Sequence, residues 1–201
     1  MSSISELPIG MPPGPVWKFT VEQYHQMINS GTLTENDPVE LIEGWILPKM
    51  PQSPDHMTAI GLLDDMLREQ LPDDWHVRTQ GPITTSDSEP EPDLVVARGK
   101  RLEFARRHPG PGDIGLVAEV SNSSLAFDRT TKARVYARAG IASYWILNAD
   151  QRTVEVFTDP DSTSAHPNYR NHNVYPRGET VGLTVDGRKL ASIEISSLFP
   201  L

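Results

Sequence analysis

The chain has 201 residues, 37% of them hydrophobic and 22% charged, with a net charge of −9 and no cysteine. That length is enough for one domain with a sizeable core, and the missing cysteines exclude disulfides, thiolate catalysis and Cys-based zinc sites. The acidic balance lacks the broad basic footprint usual in nucleic-acid-binding proteins. Positive charge gathers instead in RGKRLEFARRH (98–108) and DRTTKARVYAR (128–138), which read either as solvated faces or as phosphate-binding strips.

Residues 1–16 are rich in Pro, Gly and Ser and read as an irregular arm, and 17–201 as a single domain. The opening segment has neither a basic n-region nor an apolar h-region, so no signal peptide is expected. No run reaches the length of a membrane span, and the expected location is the cytoplasm. In TVEQYHQMINSG, Thr20 and Gln23 form a capping-box pattern, Tyr24, Met27 and Ile28 give an apolar face, and Gly31 can close the helix. VELIEGWILPKM reads as two short strands joined near Gly44. A second helix follows in SPDHMTAIGLLDDMLREQLP, capped by Ser53 or Asp55, with Ala59, Ile60, Leu63, Met66 and Leu67 inward and Pro72 as its stop.

WHVRTQGPI reads as a strand leading into the acidic, Pro-rich loop TTSDSEPEP. DLVVA and IGLVAEVS are continuous apolar runs, the pattern of strands covered on both faces. A helix is expected from Asp128 to Ala139, then strands at IASYWILN and TVEVFT, a polar loop at 159–173, and short strand-like pieces ending in ASIEISSLF. The fold class is α/β or α+β around a mixed sheet flanked by helices.

Two carboxylates and a lysine stand at the margins of the buried runs. Asp93 opens DLVVA, Glu119 lies inside LVAEV, and Lys132 follows on the helix. Hard divalent cations such as Mg²⁺ take oxygen ligands, commonly one or two carboxylates with water and substrate phosphate. A lysine beside them can orient water and neutralise charge on a phosphoryl transition state. Blander readings exist for each residue. Asp93 can cap a turn after Pro92, Glu119 can be half of an ion pair with Lys132 or Arg134, and Lys132 can be a solvated helix residue. Buried carboxylates without a partner are rare, however, and the three together favour a site.

EPDLVV, LVAEVSNSS and DRTTKARVYARAGIASYWIL, with LIEGWIL and the His56 helix upstream, resemble the Uma2 family (DUF820) of restriction-endonuclease-like proteins in the PD-(D/E)XK nuclease superfamily. The resemblance covers roughly residues 20 to 200 and implies a restriction-endonuclease-like core. It makes Asp93 and Glu119 metal ligands, places the Val120 carbonyl beside the metal, and gives Glu43 of LIEG a supporting place from an adjacent strand. The superfamily's lysine would fall at position 121, where this chain has Ser121. Lys132 on the following helix takes its part, so the catalytic set is Asp93, Glu119 and Lys132.

Weaker candidates complete the reading. Tyr136 lies one helical turn after Lys132 and reads mainly as a packing contact. Tyr144 and Trp145 alternate across a strand, so at least one is core. His56 reads as a cap or as a site residue. Ser121 and Ser123 read as loop-shaping residues, and Gln80 can face the metal pocket. The resulting expectation is a Mg²⁺-dependent (or Mn²⁺-dependent) nuclease acting on nucleic acid, most simply DNA, with a homodimer open and no membrane partner. The alternative is a nuclease-fold binding module without turnover. A third reading makes Glu119 and Lys132 a purely structural pair.

Overall fold

The computed structural model describes residues 16–199, so the expected N-terminal arm lies outside the described residues up to position 15. Thr20 opens α1 (Val21–Asn29). Its hydroxyl accepts from the Gln23 N–H at 3.2 Å and its own N–H donates to the Gln23 side chain at 3.0 Å, the reciprocal cap that the sequence predicts. VELIEGWILP forms a hairpin of β1 (Val39–Ile42) and β2 (Trp45–Pro48). Glu43 and Gly44 turn it with φ of 51° and 82°, as a two-residue hairpin turn requires. Ser53 caps α2 (Pro54–Gln70), which buries Ala59, Ile60, Leu63 and Leu67 along one face.

The next six strands form one sheet in chain order: β3 (Trp75–Thr79), β4 (Leu94–Arg98), β5 (Ile114–Ser121), β6 (Ser143–Asn148), β7 (Thr153–Asp161) and β8 (Asn168–Tyr175). Neighbours are antiparallel except β5 and β6. A parallel pair needs a crossover, supplied by residues 125–138: a short turn α3 (Leu125–Phe127), a π-helical turn (Asp128–Lys132) and α4 (Ala133–Arg138). The hairpin of β9 (Thr180–Val185) and β10 (Arg188–Glu194) packs with α2 on one face of the sheet. On the other face α4 and Ile42 of β1 cover Val95, Val117, Tyr144 and Ile146. β5 and β6 are buried throughout, as continuous apolar runs imply.

Two expectations are corrected. The crossover begins before Asp128 and contains a π turn, an insertion that no residue type in DRTTK announces. The expected polar loop at 159–173 is largely the β7–β8 hairpin. β8 is an edge strand whose only buried residue is Tyr169, so its exposed Asn, Arg and His side chains leave no apolar alternation to read. Among the described residues, no helix is long and apolar enough to cross a membrane.

Candidate active site

Strand register creates the site. Leu94 pairs with Ala118 across the antiparallel β4–β5 ladder, which brings Asp93, one residue earlier, opposite Glu119, one residue later. The two are cross-braced. The Asp93 N–H donates to Glu119 Oε2 at 3.3 Å, and Asp93 Oδ2 accepts from the Val120 N–H at 2.8 Å. Asp93 Oδ1 accepts from Gln52 at 3.3 Å and lies 3.0 Å from His56 Nε2. Both carboxylates and Val120 line an open cleft of about 930 Å³ between the β1–β2 hairpin, the start of α2 and the crossover segment.

The crossover delivers the cation. Lys132 and Tyr136 are four residues apart on one face of the helix, and both reach Glu119 Oε1, the ammonium at 2.9 Å and the phenol at 2.7 Å. Lys132 also lies 3.2 Å from Glu40 Oε2, and that oxygen accepts from the Glu91 N–H at 3.0 Å. Ser121, where the resemblance led to the expectation of a lysine, is fully buried and donates to Asp128 Oδ2 at 2.6 Å. It anchors the π turn that aims Lys132.

The electrostatics are those of a charge-rich pocket withdrawn from water. Burial pushes the Glu119 carboxyl up to about 8; Lys132 opposes the shift, while Asp93, Asp128 and Glu40 add to it. Burial works against the Lys132 ammonium, but Glu119, Glu40 and Asp128 outweigh it and hold its pKa above the usual lysine range. Lys132 is therefore a fixed cation. Burial also raises Asp128, against hydrogen bonds from Ser121 and Ser124.

Placement sorts the sequence candidates. Asp93, Glu119, Val120, Lys132, His56 and Gln80 line the cleft. Gln80 sits at its rim, donating from its side chain to Gln52 at 2.7 Å and from its backbone to the Asp93 carbonyl at 3.0 Å. Tyr136 and Ser121 stand behind the cleft wall. Tyr144 and Trp145 are both core. Glu43 is not brought to the other acids: Arg134 takes its carboxylate at 2.9 and 2.8 Å, and Arg138 also binds it. The acid that this hairpin contributes is Glu40, three residues earlier and turned inward on β1. Sequence reasoning missed Glu40, Asp128 and Gln52. The signal for Glu40 was the one used for Glu119, a glutamate inside an apolar strand.

Four buried carboxyl groups, from Glu40, Asp93, Glu119 and Asp128, face one buried ammonium, and a cation among them would favour the ionised forms that burial opposes at Glu119 and Asp128. Among the described residues, no three His, Cys, Asp or Glu side chains gather as a ready-made metal cage. Mg²⁺ does not require one, since it commonly takes one or two carboxylates and fills its shell with water and phosphate. The oxygen donors of Asp93, Glu119 and the Val120 carbonyl fit that habit.

A mixed sheet that sets an aspartate and a glutamate opposite each other on neighbouring strands, with a lysine returned by the crossover, defines a restriction-endonuclease-like domain. The crystal structure of "a putative nuclease belonging to DUF820" from Anabaena variabilis has this fold, with a TM-score of 0.64 at 15% sequence identity over 90% of this chain and 97% of that one. The family model Uma2, described as "Putative restriction endonuclease", matches residues 21–191, and the chain belongs to the Uma2 family. No curated protein matches it.

Proposed function

We propose that the cleft hydrolyses phosphodiester bonds of nucleic acid, most simply DNA, with a divalent cation, Mg²⁺ or Mn²⁺, held by Asp93, Glu119 and the Val120 carbonyl. The observation that carries this reading is the cross-braced Asp93–Glu119 pair on the floor of an open cleft, with the Lys132 ammonium 2.9 Å from Glu119. Bound there, the cation supplies positive charge that polarises a phosphate and acidifies water. The chain's own residues do the rest. The Val120 N–H fixes the Asp93 carboxylate, and the Tyr136 hydroxyl and Lys132 fix Glu119 through Oε1. Because Lys132 stays charged, its part is to neutralise negative charge that builds on the phosphoryl group, and not to accept a proton.

A second reading, a nuclease-fold binding module without turnover, is favoured by one feature. Lys132 is already engaged by two carboxylates. Calorimetric titration of Mn²⁺ and Mg²⁺ into the wild type and Glu119→Gln separates these readings when followed by cleavage assays on labelled DNA. Saturable binding that Glu119→Gln abolishes, with metal-dependent cleavage lost in Lys132→Ala, supports the nuclease. Metal binding without cleavage of DNA or RNA supports the module.

A further inference from the structure

The two basic clusters of the sequence have opposite fates in the fold. In the 128–138 cluster the charges are internally matched: Arg129 to Glu155, Lys132 to Glu119 and Glu40, Arg134 and Arg138 to Glu43. In the 98–108 cluster Arg98 pairs with Asp186 and Arg107 with Asp113. Among the described residues, Lys100, Arg101 and Arg106 of that cluster, and Arg78 on the adjoining strand β3, have no carboxylate partner. In a protein of net charge −9, four such cations at one corner of the sheet stand out.

The corner has further marks of missing counter-charge. Arg78 is half-buried over the Phe104 ring at 5.6 Å, and its Nε is buried with no hydrogen-bond partner. Burial, then the neighbouring Arg101, lowers the Arg78 pKa. Glu103, the acid of the same turn, is directed back to the Lys100 N–H at 2.8 Å. Leu102, between Arg101 and Glu103, is 87% exposed. Arg101 donates to the Val77 carbonyl at 3.3 Å, which leaves its charge without a carboxylate. A projecting apolar side chain in a turn with Lys100 and Arg101 suits a ligand with anionic groups along an otherwise apolar or aromatic body.

Arg78 is the member of the corner nearest the cleft, whereas Lys100 and Arg101 follow the end of β4 away from Asp93. Arg78 precedes Gln80 by two residues at the end of β3, and its Nη2 leans against Gly81. Gln80 is the rim residue whose N–H binds the Asp93 carbonyl.

We propose that Arg78, Lys100, Arg101 and Arg106 bind the phosphate backbone of a nucleic acid strand flanking the bond presented to the cleft, with Leu102 against a sugar or base. This assignment rests on the nuclease reading for the identity of the polyanion. The chemistry it recognises, a phosphodiester backbone, is common to DNA and RNA.

The test is fluorescence anisotropy of the full chain with a labelled DNA duplex and, separately, a labelled single-stranded RNA, between about 50 and about 200 mM salt. The variant carries Lys100→Glu, Arg101→Glu and Arg106→Glu together. All three positions are exposed, and thermal unfolding verifies that the variant is folded. With about 0.9 counterions released per phosphate contact on the duplex and about 0.7 on the single strand, the slope of log K against log salt should flatten by roughly 3 or roughly 2 respectively, and affinity should fall on the order of 100-fold near 0.1 M salt. The polymer that shows this dependence is the ligand. An unchanged slope in the folded variant overturns the proposal, and so does wild type that binds neither polymer at the lowest salt. Incubating the same oligonucleotides with Mn²⁺ keeps the two ideas apart. Patch-dependent binding without cleavage retains this surface and removes the nuclease reading, whereas cleavage with patch-independent binding does the reverse.

Discussion

Replacing Lys132 with methionine keeps the length of the side chain and removes its charge from a buried cluster. Lys132 Nζ lies 2.9 Å from Glu119 and 3.2 Å from Glu40, and all three side chains are less than a tenth exposed, at 8%, 7% and 8%. Two buried carboxylates then lose their counter-ion, a change that typically costs about 3–5 kcal/mol. The sign of its pH dependence follows from Glu119. Burial holds this carboxyl at about 8 even with Lys132 opposing, and removing Lys132 raises it further. A carboxyl raised in the folded state contributes stability that is fully present below its unfolded pKa, 4.5, and is lost as pH rises through the folded value. The variant's deficit relative to wild type is therefore smallest near pH 5 and largest above pH 8. Urea unfolding followed by the fluorescence of the buried Trp75 and Trp145, at about pH 5 and about pH 8.5, measures both. A deficit below about 1 kcal/mol at the higher pH, or one that does not change between the two, refutes Lys132 as the neutralising partner of this cluster.

Glu43→Gln tests the network behind the site. Hydrogen bonds from Arg134, ahead of those from Arg138 and against burial, lower Glu43 to about 2. Its contribution is present above pH 4.5 and lost as pH falls toward 2. With the guanidiniums 37% and 30% exposed, screening reduces that contribution to about 1 kcal/mol. Melting temperatures of wild type and variant should therefore differ near neutrality and converge near pH 2; a gap that persists there contradicts the assignment. Tyr136→Phe removes the 2.7 Å hydrogen bond to Glu119 Oε1. Unfolding free energy should fall by about 1–2 kcal/mol, and Mn²⁺ affinity by calorimetry should weaken about tenfold if Tyr136 orients a ligand. Equal affinities would reduce Tyr136 to packing.

Much of the fold was legible because burial on both sides leaves a plain mark. DLVVA, IGLVAEVS and SYWILN have no polar face, and they became the adjacent strands β4, β5 and β6. Asp93 and Glu119 stood out against that apolar background. Glu40 did not, because β1 is only four residues long and Glu43 beside it has equal chemistry. Which of the two faces inward is decided by the turn at Glu43 and Gly44, whose positive φ angles point Glu43 toward the crossover arginines. β8 escaped notice because an edge strand with one buried residue carries no alternation.

The lysine's position on the helix rather than the strand has a mechanical explanation in the π turn. Asp128 and Lys132 begin and end that turn and both are buried, Asp128 fastened to Ser121 and Lys132 to Glu119. Ser121 and Glu119 are two residues apart on one strand and therefore share a face. The strand thus grips the crossover at two points, and Ser121 helps fix the helix that carries Lys132. Ser121 and Lys132 are thus tied to the two ends of the same π turn. A lysine placed at 121 would displace the Asp128 anchor and set a second ammonium beside the first, so it would disturb the pocket that Lys132 already completes.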